Sequence, residues 1–348
     1  MSFFHEVNTL DKAESYFAAA NTKDGFISYF KEIFSKVKKI YVIKGGPGTG
    51  KSTLMHKIAV EGKNRGFEVQ KYYCSSDTSS LDGVVIGEEF AVLDGTPPHA
   101  MEPRNVGALD EIINLCDMWN ADVLAENKDD ICLISGEISQ KYKSVYRMIN
   151  AFATLEIEYL DTVNKHVNVE KLKKFTDRLA DCADRSGVVN TVICDALGTF
   201  GYVRFNTLER KAKRVIYLSG RYHEDVVFLD YLKNSLDSTS ASYEISLSPE
   251  NSKPTAILVN DTVFVSVDTV PSGSKALNTK RFLLPTIKNE KAKLKSLEKL
   301  CLELSALITQ ELENIGALHD ELEKFYKSAM NYDKLDRFTK KLLIKMFC

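Results

Sequence analysis

Apolar residues recur along this chain in two spacings. Short unbroken runs stand at 40–43 (IYVI), 84–86 (VVI), 90–93 (FAVL) and 215–218 (VIYL), each bounded by glycine, serine or charged residues. Such runs predict strands buried on both faces, and 67–74 and 188–194 read the same way. The second spacing is helical. Ile131, Ile134, Ile138, Tyr142, Val145, Ile149, Phe152 and Leu160 return at steps near three and four, so 106–185 reads as helix. The pattern repeats over 168–183, and two helices joined near 165–168 predict an antiparallel hairpin. Upstream, 15–20 reads as a strand, 21–25 as a turn and 26–37 as an amphipathic helix. Its stripe of Phe26, Tyr29, Phe30 and Phe34 reads first as core and second as a flank for a nucleotide base.

Between the run at 40–43 and the helix-forming residues after it lies GGPGTGKS, which is Gly45, Gly46, Pro47, Gly48, Thr49, Gly50, Lys51 and Ser52, followed by Thr53. A triphosphate needs backbone N–H groups wrapped closely around it, which glycine permits, and a helix start adds further N–H groups and a positive dipole end. Strand, glycine loop, Lys51 and Ser52 are thus expected to form a P-loop, with Lys51 on the β- and γ-phosphates and Ser52 on Mg²⁺. Asp94, closing the run at 90–93, is the expected carboxylate for the same metal. Gly95 follows it where many ATPases carry a water-activating Glu, which argues against fast hydrolysis. Asp77 stands where P-loop kinases present an acid to the phosphoryl acceptor, with Asp82 and His99 as further candidates; Asp77 serves equally well as a turn residue.

Composition narrows the classes. Lys and Arg number 46 against 48 Asp and Glu, a net charge of −2, so no global basic field points to nucleic acid. No apolar run approaches the ~18 residues of a membrane span. The first residues lack the basic-then-apolar layout of a signal peptide, which predicts a cytoplasmic setting. Seven cysteines without a C-x-x-C pair read as reduced, mostly buried thiols.

The second half repeats the first. AKRVIYLSG matches VKKIYVIKG, with Gly220 over Gly45, and Asn168, Lys171, Leu172, Phe175, Thr176 and Leu179 match Asn331, Lys334, Leu335, Phe338, Thr339 and Leu342 at a constant shift of 163 (331 − 168). In ungapped alignment the second loop reads GRYHEDVV, with Val226 in place of the phosphate lysine and Val227 in place of the metal hydroxyl. The expectation is therefore α/β: duplicated P-loop NTPase-like units, 1–187 active and 188–348 degenerate, each a mostly parallel sheet with a long helical hairpin. Neither Arg65, at the far end of the P-loop helix, nor Arg104, after the LDGTPPH segment, is clearly placed to reach the γ-phosphate. Arg221, in the second loop, is a candidate to supply that cation from across a pseudo-dimer, or else a solvated residue paired with Glu224 or Asp225.

The segments KGGPGTGKSTLM, CSSDTSSLDGVVI and LDGTPPH, together with the duplicated layout, resemble an uncharacterised bacterial family of tandem P-loop proteins described as ATPase-like or nucleotide-kinase-like. The resemblance spans nearly the whole chain and implies ATP binding; the second loop departs from it. The expected function is ATP and Mg²⁺ binding with slow hydrolysis or phosphoryl transfer. The alternatives are a small-molecule or nucleotide kinase, and an ATP-gated switch that binds a protein partner through the helical arms.

Overall fold

The structure, a computed structural model, describes residues 7–10, 14–98 and 101–347. It is mixed α/β, and its contacts gather into two units, neither continuous in sequence. One, called the P-loop unit after the motif expected from its sequence, consists of Glu14–Val145, Gly198–Phe200 and Gln310–Cys348; the second unit consists of Met1–Ala13, Tyr146–Leu197 and Gly201–Thr309. The division expected at 187 marks where the sequence repeat begins, a separate matter from how contacts group.

In the P-loop unit a six-stranded sheet runs in the order Ser15–Phe17, Val69–Tyr73, Leu81–Ile86, Phe90–Asp94, Lys39–Lys44, Glu111–Asn114. The strand pairs at the two ends of this order are parallel, while Leu81–Ile86 is antiparallel to both its neighbours. Phe90–Asp94 and Lys39–Lys44 are almost wholly buried, as their unbroken apolar runs require. Helix Lys51–Asn64 lays Leu54, Met55, Ile58 and Ala59 on the sheet and ends before Gly66, whose φ of 82° a side chain would resist.

Two helical expectations are corrected here. Gly25–Ser28 is a strand, hairpinned to Ala19–Thr22 through a turn in which Thr22 Oγ1 binds the Gly25 carbonyl; only Phe30–Phe34 is helical, and Phe30 and Phe34 are buried. Glu111–Asn114, inside the stretch read as continuous helix, is the edge strand beside Tyr41–Lys44. It is held by buried Asp110, which accepts from the Ile40 N–H and from the Arg104 guanidinium.

The sheet of the second unit has the order Val189–Val192, Tyr243–Leu247, Pro254–Val259, Thr262–Ser266, Arg214–Ser219, Ala276–Asn278, with the same sequence of parallel and antiparallel pairings. A separate three-stranded sheet joins Val7–Leu10, Gly201–Phe205 and Asp195–Gly198. The expected hairpin is also corrected: helix Val169–Asp181 packs against Glu224–Ser238, with Thr176 and Asp177 both bonded to Ser235 Oγ. Asn168 caps it by accepting from the Lys171 N–H, just as Asn331 accepts from the Lys334 N–H in the P-loop unit. Of the six described cysteines only Cys194 and Cys301 are buried, fewer than expected, and none is in a disulfide. Among the described residues no helix is long and apolar enough to cross a membrane.

Glu156 and Glu250 are among the carboxyls buried in the interior of the second unit. Burial pushes the Glu250 carboxyl up to about 7, and burial together with the charge of Glu250 holds Glu156 well above the carboxylate range. In the unfolded chain a Glu titrates near 4.3. Between about 4.3 and about 7 Glu250 is protonated in the folded unit and ionised in the unfolded chain, so its contribution to stability falls as pH rises across that window and then levels. Glu250→Gln should flatten this fall and raise stability at pH 8 by about 1–3 kcal/mol. Urea unfolding of parent and variant at pH 5 and pH 8 measures it, and an unchanged pH dependence would refute the assignment.

Candidate functional site

The glycine loop lies between the end of strand Lys39–Lys44 and the first residue of helix Lys51–Asn64. Gly48 (φ 66°) and Gly50 (φ 87°), the latter the helix N-cap, hold left-handed backbone where glycine is needed for conformation alone. Gly45 and Gly46 hold no such angle, and crowding is what excludes a side chain. A Cβ on Gly45 would stand 2.9 Å from Thr49 Oγ1, and one on Gly46 would stand 2.4 Å from the Tyr326 ring. Thr49 Oγ1 donates to the Gly46 carbonyl at 2.8 Å and stiffens the loop from within, while Pro47 offers no N–H.

Lys51 folds back over this loop. Its ammonium donates to the carbonyls of Gly45 (3.0 Å) and Gly46 (2.7 Å) and lies 3.5 Å from Asp94 Oδ2, with both side chains largely buried. Asp94 stands at the C-terminal end of Phe90–Asp94, in register with Ile43. Its Oδ1 accepts from the Thr96 N–H and hydroxyl, which leaves Oδ2 turned to Lys51. Ser52 Oγ accepts from the Leu81 N–H at 2.9 Å, tying the helix start to the next strand. Thr53, exposed, is the third residue of the helix, within the first turn whose N–H groups lack intrahelical acceptors. Lys51 and Asp94 therefore meet over the loop, and Ser52 stands next to Lys51 at the helix start.

Gly95 has a steric explanation. A Cβ there would stand 2.2 Å from Val42 Cγ1, so neither Glu nor any other side chain fits after Asp94 without moving the core.

The remaining candidates take more structural roles. Both Asp77 oxygens are engaged in its own turn, accepting from the Ser79 N–H, the Ser79 hydroxyl and the Ser80 hydroxyl. Asp82 is buried, next to the Leu81 that binds Ser52. Arg65 pairs with Glu61 and the Phe347 carbonyl, and Arg104 is committed to Asp110. His99 lies outside the described residues. Arg221 is exposed in the second unit, its guanidinium over the Tyr222 ring.

What the sequence did not reveal is the cover on the loop. Gln310–Cys348 belongs to the P-loop unit, and its helices lie on the glycines. Tyr326 meets Gly46, Glu323 and Lys327 cross Gly48 as an ion pair, and Leu335 meets Gly50. The Tyr332 hydroxyl is 3.5 Å from the Gly48 carbonyl. His319, one turn before Glu323, has its basicity lowered by burial and senses the charge of Asp77. The spacing of His319, Glu323 and Tyr326 on one face of helix Lys291–Ala329 was the available signal.

The second loop corrects the ungapped alignment. From strand end to N-cap the first loop advances six residues (50 − 44) and the second four (223 − 219). Helix Glu224–Ser238 therefore starts with Glu224 where the first starts with Lys51, and Asp225 takes the place of Ser52. The Glu224 carboxylate accepts from the N–H groups of Arg221 (3.2 Å) and Tyr222 (2.7 Å), so a buried carboxylate fills the backbone cradle. Ser266, the register equivalent of Asp94, donates to Asp225 at 2.5 Å.

If crowding by Tyr326 is what requires glycine at 46, Gly46→Ala should cost about 1–3 kcal/mol in the parent and clearly less in a Tyr326→Ala background. A double-mutant cycle by thermal unfolding reads the difference, and equal costs in both backgrounds would refute it.

No family model, curated protein or solved structure matches this chain, so the family resemblance rests on the quoted sequence segments.

Proposed function

We propose that the P-loop unit binds ATP with Mg²⁺ and carries out slow hydrolysis or phosphoryl transfer, and that the second unit is a duplicated copy that has lost this chemistry. The observation that supports this most directly is the position of Lys51. Its ammonium, at the mouth of a glycine loop and beside Asp94, is held by two carbonyls that a triphosphate would replace with stronger, charged acceptors. The identical strand order and pairing of the two sheets supports the duplication.

The donors fit a magnesium ion that arrives with its nucleotide. Mg²⁺ keeps several waters and uses one or two carboxylates with substrate phosphates. Asp94 and the Ser52 hydroxyl would supply the protein ligands, and among the described residues no three His, Cys, Asp or Glu side chains converge as a resident site would need. The metal would neutralise charge developing on the phosphates. The loop N–H groups, Lys51 and the helix start would bind and orient them. Turnover should be slow because no water-positioning Glu fits at Gly95.

One observation favours a second reading, the ATP-gated switch: side chains of Gln310–Cys348 rest on Gly46, Gly48 and Gly50, so a loop rearranged by phosphate is felt directly by these helices. A dedicated kinase has less support, because Asp77 is occupied in its turn.

Lys51→Ala should abolish Mg·ATP binding or turnover at little cost to stability; calorimetry finding parental affinity and turnover would refute the reading. Asp94→Asn should retain some nucleotide binding and weaken its dependence on magnesium, and identical magnesium titrations would exclude Asp94 from the metal. Because Glu224 fills the second cradle, equilibrium dialysis at saturating ATP should give one nucleotide per chain, and a value of two would refute that role for Glu224.

A further inference from the structure

A phosphate cradle leaves the rest of a nucleotide unaccounted for, and the P-loop unit has an open groove beside the loop. Its volume is about 530 Å³, within the range of small-molecule sites. It lies between the 3₁₀ turn Cys116–Met118 with the residues after it and the connection from Ala329 to Lys334. Asp117, Trp119, Asn120, Asn331, Tyr332 and Asp333 line it.

Two features tie the groove to the loop. The Tyr326 ring touches Gly46 on one side and stands edge-on to Trp119 on the other, centroids 5.7 Å apart, while Tyr332 reaches the Gly48 carbonyl. Sheet order gives the direction. Strand Lys39–Lys44 has the Asp94 strand on one side and Glu111–Asn114 on the other, and the chain leaving Glu111–Asn114 forms the groove wall. In open α/β sheets ligands lie in the crevice beyond the C-terminal strand ends. A triphosphate with its metal toward Asp94 therefore sends its nucleoside toward Trp119.

We propose that this groove is the nucleoside subsite of the P-loop and takes an amino-purine base against Trp119 and Tyr332. The inference rests on the reading of the Lys51 loop as a triphosphate site. Aromatic rings offer the apolar face on which a base stacks. The Asp117 and Asp333 carboxylates accept from exocyclic amino groups. The side-chain oxygens of Asn120 and Asn331 are already used by the N–H groups of Asp122 and Lys334, so their amide N–H groups serve as donors to ring nitrogens.

The chain has a single tryptophan, so Trp119 emission reports on the groove directly. The test titrates the full chain with the magnesium complexes of tripolyphosphate, ATP, GTP and inosine triphosphate, following emission and heat. ATP or GTP should bind about ten- to a hundredfold tighter than tripolyphosphate and quench Trp119, with inosine triphosphate weaker than the better of them. Trp119→Ala should weaken nucleotide binding toward the level of tripolyphosphate and leave tripolyphosphate unchanged, and Tyr332→Ala should weaken nucleotide binding by a larger factor than tripolyphosphate binding. That unchanged affinity also certifies the fold; if Trp119→Ala does not fold, exposed Tyr332 decides. Equal affinity of tripolyphosphate and all nucleotides, without quenching, would overturn the subsite and leave the P-loop reading standing. Equal loss of tripolyphosphate and nucleotide in Tyr332→Ala would also overturn it. Binding of none of the four would overturn both.

Discussion

The close approach of the C-terminal helices to the glycine loop constrains the rest of the P-loop unit. Tyr326 meets Gly46, Lys327 and Glu323 cross Gly48, and Leu335 meets Gly50, each at a distance that a Cβ would violate or strain. At Gly48 and Gly50 the left-handed backbone adds a second demand for glycine, whereas at Gly46 crowding acts alone. Interfaces packed this closely shift between discrete arrangements rather than bending continuously, so the state of the loop and the docking of the helices are linked. Any ligand that changes the loop must act on the helices in proportion to its preference for one arrangement over the other.

The two loops share a scaffold and differ in charge. Both keep a strand, a turn, a left-handed N-cap and a helix. They differ in the charge delivered by the first helical residue. In one, Lys51 is a cation beside Asp94; in the other, Glu224 brings a carboxylate and Asp225 is bonded to Ser266. Gly220 makes room for this, since a Cβ there would stand 2.7 Å from the Glu224 carboxylate. Burial pushes the Glu224 carboxyl up, and the two N–H groups oppose that rise.

The strands, and the glycine loop that joins a strand to the helix at Lys51, were legible because each is written locally: apolar runs, turn residues, and a lysine and serine at a helix start. The repeat was legible through Asn168 and Asn331, whose capping bonds are the same in both units. Three things escaped. Glu111–Asn114 has too few apolar residues to announce a strand and is fixed by Asp110, whose partners Ile40 and Arg104 lie elsewhere in the sequence. The loop deletion before Glu224 was hidden because ungapped alignment put hydrophobic Val226 at a plausible place. The cover of the loop by Tyr326 and Leu335 was invisible because nothing local in a helix says which distant glycine it will meet.

The carboxylate in the second cradle is held there by the chain itself. Glu224 is the first residue of the helix that follows the loop, so its carboxylate faces the N–H groups of Arg221 and Tyr222 at an effective concentration that no dissolved phosphate reaches. An external anion would have to displace it into a buried setting, where an unpaired carboxylate is costly. Of the two loops, the one before Lys51 presents a cation, and the other is closed by the carboxylate of its own Glu224.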